Sequence, residues 1–118
     1  MKHIISIKDF GREEIDHLLA RAGAIDAAPQ IRKTLDGKQV ALLFFEPSTR
    51  TRMSFASAVS RLGGTTITVD SVEGSSISKG ETLADTVRVV SSYVDAIVLR
   101  HPKEGGQHAS RASLHRCR

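Results

Sequence analysis

A single cysteine, Cys117, leaves this chain with no internal disulfide and no cluster of thiolates to bind a metal. The five histidines are scattered without zinc-site spacing, so no metal and no structural cofactor is expected. Trp is absent, Tyr occurs once, and no aromatic residue interleaves with the cations. The stacking platform of a single-strand nucleic-acid binder is therefore missing. No apolar run approaches the roughly 20 residues of a membrane span, and Met1-Lys2-His3 is not followed by the apolar core of a signal peptide. A cytoplasmic protein with neither nucleic acid nor membrane as partner is the expectation. The formal charge of +4 does not alter it, because Arg111, Arg116 and Arg118 supply three of those charges in a terminal stretch without acids.

What is present is ordinary for a globular chain: 40% apolar and 25% charged over 118 residues, enough for one modest core or part of a larger one. Ser6-Ile7-Lys8-Asp9 has the form of a capping box, and Phe10, Ile15, Leu18, Leu19, Ala22 and Ile25 follow at spacings of three and four. The pattern predicts an amphipathic helix of about four turns that ends before Pro29. Val40 to Phe45 is a continuous apolar run, the mark of a strand buried on both faces. A helix is expected from Thr51 to Leu62, with Phe55, Ala58, Val59 and Leu62 on one side and Gly63-Gly64 at its end. Thr65 to Asp70 is β-branched and reads as a strand, Ser71 to Gly80 as a glycine-punctuated loop, Glu81 to about Tyr93 as a helix, and Asp95 to Arg100 as a third strand. Alternation of this kind predicts an α/β fold with a parallel sheet and right-handed crossover helices.

Ligands of such sheets bind beyond the carboxyl ends of the strands. The segments that fall there are Glu46 to Arg52, Ser71 to Gly80 and Arg100-His101, all rich in hydroxyls or cations. In "FFEPSTRTRMSF", Ser48, Thr49, Arg50 and Thr51 sit where a helix begins, so unpaired backbone N–H groups, short hydroxyl donors and a planar guanidinium could together cradle a phosphate. The spacing alone leaves a second reading open, in which the hydroxyls cap the helix and the arginines are solvated. Glu46 is a candidate partner for Arg50 or Arg52. Glu81 and Asp85 suit a helix start, His101 suits a strand end, and His3 and His17 suit the surface.

Taken in order, "FFEPSTRTRMSF", "SKGETLADT" and "VLRHPKEG" resemble the aspartate and ornithine carbamoyltransferase family over about the first 105 residues. "KGETLADT" and "RHPKEG" resemble the aspartate branch rather than the ornithine one. The resemblance implies transfer of the carbamoyl group of carbamoyl phosphate to the amino group of L-aspartate, in pyrimidine biosynthesis, with no cofactor. It implies that Ser48, Thr49, Arg50, Thr51 and Arg100 bind carbamoyl phosphate. Arg50 would lie nearest the leaving phosphate, and Thr51 and Arg100 would polarise the carbonyl oxygen. It further implies a homotrimer, with which regulatory chains can associate, in which Ser75 (or Ser76 in an alternative register) and Lys79 reach the neighbouring subunit's site. Three other readings remain: an ornithine carbamoyltransferase, a free-standing module that binds phosphate or carbamoyl phosphate without turnover, and an interaction protein that uses its basic tail on nucleic acid.

After Gly105 the resemblance stops. Residues 106–118, "GQHASRASLHRCR", are polar and basic and are expected to be disordered, leaving 1–105 as an incomplete carbamoyl phosphate-binding domain. The resemblance implies that a second domain for aspartate would follow, so this chain alone is expected to be inactive. A one-base shift of reading frame after Gly106 can encode Ala-Ala-Arg-Leu-Ala-Ser-Glu, similar to the family's continuation. A cloning truncation or a natural short protein would also end the resemblance at this point.

Overall fold

A computed structural model describes residues 3–30, 32–69 and 82–102. The chain divides into two compact units, residues 1–31 and 32–118.

In the first unit the capping box forms as expected, with the Ser6 hydroxyl accepting from the Lys8 amide at 3.2 Å and the Asp9 carboxylate from the Ser6 amide at 3.2 Å. It opens only a one-turn 3-10 helix, Ile7–Asp9, and the long helix α1 starts later, at Arg12–Ala27. Its start is fixed by Glu14, whose carboxylate accepts the Gly11 amide at 2.9 Å. No residue of α1 is buried: Leu18, Leu19 and Ile25 remain exposed. The helix expected on periodicity is present, and the burial of its apolar stripe is not. Within the described residues its supports are local, namely the Glu14 contact and an Arg12–Asp16 ion pair one turn apart.

The second unit is a parallel sheet of three strands, β1 (Gln39–Phe44), β2 (Thr65–Val69) and β3 (Ala96–Arg100), in the order β2-β1-β3. Gln39 pairs with Thr65 and Val40 with Ala96, so β1 is bonded on both edges. Its side chains divide by parity. Ala41, Leu43 and Phe45 pack with Val87 and Val94, whereas Val40, Leu42 and Phe44 pack with Val59. Val87 lies on helix α3 (Leu83–Val90) and Val59 on helix α2 (Thr49–Arg61), so the two helices cover opposite faces. Two crossovers of the same hand give this placement when the chain steps to one side of β1 and then to the other.

The central strand is the core. Val40 to Phe45 are all buried, and each large side chain there contributes about 1.5–3 kcal/mol of transfer free energy. The edge strand β2 is exposed along most of its length. The expected helices are present with shifted ends. α2 begins at Thr49, buries Val59 and packs the half-buried Ala56 beside it, while Phe55 faces outward. α3 is shorter than expected, capped by the Thr82 hydroxyl, which accepts the Asp85 amide at 3.1 Å. Gly63 ends α2 at φ 84°, a left-handed conformation that favours glycine. At Gly64 a Cβ would fall 2.9 Å from Val59 Cγ1, so a side chain there would disturb the seat of α2 on the sheet.

Candidate functional site at the carboxyl ends of β1 and β3

Parallel register decides which residues meet. Phe44 lies level with Arg100, and the Phe45 amide donates to the Arg100 carbonyl at 2.9 Å, so the last residue of β3 stands beside the turn that leaves β1. That turn, Glu46 to Ser48, leads into α2. β1's successor strand lies to one side and β3 to the other, so this is the point where the strand order reverses and where open α/β sheets bind ligands.

Arg100 is the hub. Its Nε donates to the Glu46 carboxylate, and its Nη1 donates to Ser48 Oγ at 2.6 Å and to Thr51 Oγ1 at 3.4 Å. Sequence proximity makes Glu46 a candidate partner for Arg50 or Arg52; the register instead gives it to Arg100, the cation carried alongside by β3. Ser48 occupies the N-cap of α2 without making a side-chain cap, and its hydroxyl is turned to Arg100 instead. The first backbone bond of the helix is Arg52 N–H to the Ser48 carbonyl at 3.0 Å. Of the two readings left open by spacing, capping by Ser48 is thereby excluded.

A cleft of about 430 Å³ results, lined by Pro47, Ser48, Thr49, Arg50, Thr51 and Arg100. All five residues expected to hold the phosphate-bearing ligand therefore come together in one place. Ser48, Thr51 and Arg100 are joined directly, while Thr49 and Arg50 line the cleft exposed and without a partner among the described residues. Two guanidinium groups and the positive end of a helix face one concave surface, and the Glu46 carboxylate in the adjoining turn is bonded to Arg100. His101 directs its ring edge at Phe45, with centroids 5.9 Å apart, which fits the strand-end role expected of it. Ser75, Ser76, Lys79, Glu81 and the tail from residue 103 lie outside the described residues. Among the described residues no group of three or more His, Cys, Asp or Glu is gathered for a metal.

Asp95, at the other end of the sheet, is a residue that sequence reasoning does not single out. Its carboxylate accepts the Gln39 amide at 2.9 Å and Lys38 Nζ at 3.5 Å. The amide bond first, and the Lys38 charge in addition, hold its pKa below the ordinary value of 3.8. The signal available in the sequence is an acid directly before the apolar run Ala96 to Leu99.

Comparison with known proteins agrees with this geometry. The catalytic subunit of aspartate carbamoyltransferase from Methanoculleus marisnigri is 70% identical over 105 residues, covering 89% of this chain and 35% of that protein. Among solved structures, the catalytic subunit of M. jannaschii aspartate transcarbamoylase superimposes with a TM-score of 0.85 at 50% identity, over 96% of this chain and 39% of the other. A Trypanosoma cruzi aspartate transcarbamoylase, solved with carbamoyl aspartate and phosphate, gives 0.83 at 41% identity over 95% of this chain and 37% of its own. The chain thus spans about a third of the length of the curated relatives it matches. The family of aspartate/ornithine carbamoyltransferases, through its carbamoyl-P binding domain, matches residues 2–116, and the chain belongs to that family.

Proposed function

We propose that this chain is the carbamoyl phosphate-binding part of an aspartate carbamoyltransferase. The observation that carries the reading is the Arg100 guanidinium bonded to Ser48 and Thr51 across a cleft that Arg50 also lines. In the reaction the amino nitrogen of L-aspartate attacks the carbonyl carbon of carbamoyl phosphate and loses a proton, which the departing phosphate takes up. The C–N bond forms as the bond from that carbon to the phosphate oxygen breaks. Negative charge grows on the carbonyl oxygen and then on the departing phosphate. A cleft with preorganised donors stabilises both, and no electron transfer is required.

Arg50, with Ser48 and Thr49, binds the phosphate; Thr51 and Arg100 also polarise the carbonyl. The T. cruzi relative binds carbamoyl aspartate and phosphate, the two products of this transfer, which supports aspartate rather than ornithine as acceptor. The assembly is a homotrimer in the cytoplasm, with Ser75 and Lys79 completing the site of a neighbouring subunit. No helix among the described residues is long and apolar enough to cross a membrane.

Because the chain covers 35% of its relative, the reading separates binding from turnover. Calorimetric titration with carbamoyl phosphate is expected to show binding that weakens at least about tenfold in Arg50→Ala, on the scale of one charged hydrogen bond. No carbamoyl aspartate is expected when L-aspartate is added. Equal affinities in the two proteins would remove the assigned site. Turnover by the chain would show that the remainder of the relatives' length is dispensable. Deleting residues 106–118 is expected to leave binding unchanged, in line with a binding domain that ends near Gly105.

A further inference from the structure

Each outer strand of the sheet is bonded along one edge only among the described residues, and the two differ in composition. β2 carries Thr65, Thr66 and Thr68, all exposed, as suits an edge that meets water. β3 has no polar residue from Ala96 to Leu99, and all four are half-buried. Ala96 and Val98 pack on the face that α2 covers, Ile97 and Leu99 on the face that α3 covers. A strand that is apolar on both faces has the composition of an interior strand, and this run holds no charge or proline of the kind that keeps an edge unpaired. In residues 71–81 and 103–118 apolar residues stand singly, so neither stretch has the pattern of a strand that would cover it.

The backbone and the charges define what fits the edge. The Arg100 carbonyl accepts from the Phe45 amide of β1, so by alternation Val98 also turns its backbone groups to β1, while Ile97 and Leu99 turn theirs outward. An acid, Asp95, precedes the run, and two basic residues, Arg100 and His101, end it. We propose that the free edge of β3 pairs with the same edge of a second copy of this chain, antiparallel and centred on Val98. In that register Ile97 of each copy lies opposite Leu99 of the other, and the pair exchanges both backbone bonds. Val98 meets its own counterpart, and Asp95 comes opposite His101 of the second copy, so the acidic end of each strand meets the basic end of the other. Parallel pairing would set Asp95 beside Asp95 and Arg100 beside Arg100, which is unfavourable. The two-fold arrangement closes on itself, because the outer strands of the joined sheet are then the threonine-bearing β2 of each copy. It is separate from the homotrimer proposed above, so dimers are expected, or hexamers where trimers also form.

The test combines sedimentation equilibrium of the 118-residue chain under reducing conditions with cysteine cross-linking in a Cys117→Ser background. A non-hydrogen-bonded antiparallel pair sets its Cα atoms about 4.5 Å apart, within disulfide reach, so Val98→Cys is expected to give a covalent dimer on mild oxidation. Ile97→Cys is not, because its counterpart is a diagonal neighbour about 7–8 Å away, and Thr66→Cys on β2 is not. A monomeric or trimeric wild-type chain overturns the proposal however the variants behave, and leaves the edge to a strand from the further length that the relatives possess. Dimers or hexamers in which Val98→Cys fails to cross-link overturn it in favour of another surface. Cross-linking of Ile97→Cys as efficient as that of Val98→Cys overturns the antiparallel register, and cross-linking at Thr66 instead assigns the contact to β2.

Discussion

At the amino end of β3 the Asp95 carboxylate accepts the Gln39 amide and a lysine, whereas at the carboxyl end the Arg100 guanidinium donates to Glu46 and to two hydroxyls. In both places a charged side chain at an end of β3 reaches across to β1, at its start in one case and just past its end in the other. The difference lies in what is left over. Asp95 ties down a strand start. Arg100 turns the hydroxyl of Ser48 away from helix capping, so the same kind of cross-strand contact gathers two hydroxyls and Arg50 around a cleft. One end is a clasp and the other a receptor, and the contrast follows from one being built with an acceptor and the other with donors.

The largest effect is expected where both ends are supported at once. Leu42 is fully buried in the middle of β1, and Leu42→Ala should destabilise the sheet by about 2–5 kcal/mol through lost transfer energy and the cavity left behind. Urea denaturation would measure it. A loss much below that range would mean that the sheet collapses around the gap, and that the two ends are less rigidly connected than the packing of β1 implies.

Next in size is a change confined to the receptor. Arg100→Lys keeps a positive charge but removes the fork that reaches Glu46 and the hydroxyls together. Carbamoyl phosphate binding is expected to weaken about ten- to a hundredfold, on the scale of a charged hydrogen bond of roughly 1.5–3 kcal/mol. The denaturation midpoint should change little, because the side chain is partly exposed and its ion pair with Glu46 is solvated. Equal effects on binding and on stability would erase the distinction between receptor and clasp.

Much of this was legible in the residues. The apolar run from Val40 to Phe45 marks the buried central strand, because burial on both faces leaves no alternation to misread. Ser48 to Thr51 and Arg100 were legible as strand-end polar residues, since parallel strands put every carboxyl end on one side. Two kinds of information were not. Helix periodicity in α1 located a helix and said nothing of whether another element covers it, and Leu18 and Leu19 remain exposed. The partners of charged residues depend on register between distant strands, so Glu46 could be placed beside Arg100, and Asp95 beside Gln39, only once β1 and β3 were paired.

The smallest expected effect is at the clasp, and it has a pH signature that the receptor lacks. The pKa of Asp95 is lower in the folded chain than its ordinary value of 3.8, chiefly through the Gln39 amide. The ionised carboxylate is therefore the form that folding favours. Its contribution is present in full above the unfolded-state value and is lost as pH falls through the lower folded value. In Asp95→Asn the side chain can still accept the amide through its oxygen but cannot titrate. The wild-type chain should be the more stable at pH 6, and the gap between the two denaturation midpoints should narrow as pH falls below about 4. Because Asp95 and Lys38 are both partly exposed, salt should screen their attraction and shrink the gap only in part, leaving the amide bond. A gap that is constant from about pH 6 to about pH 3, a span that brackets the usual aspartate range, would show that the amide bond does not depend on the charge of Asp95, and the clasp would then be a matter of shape alone.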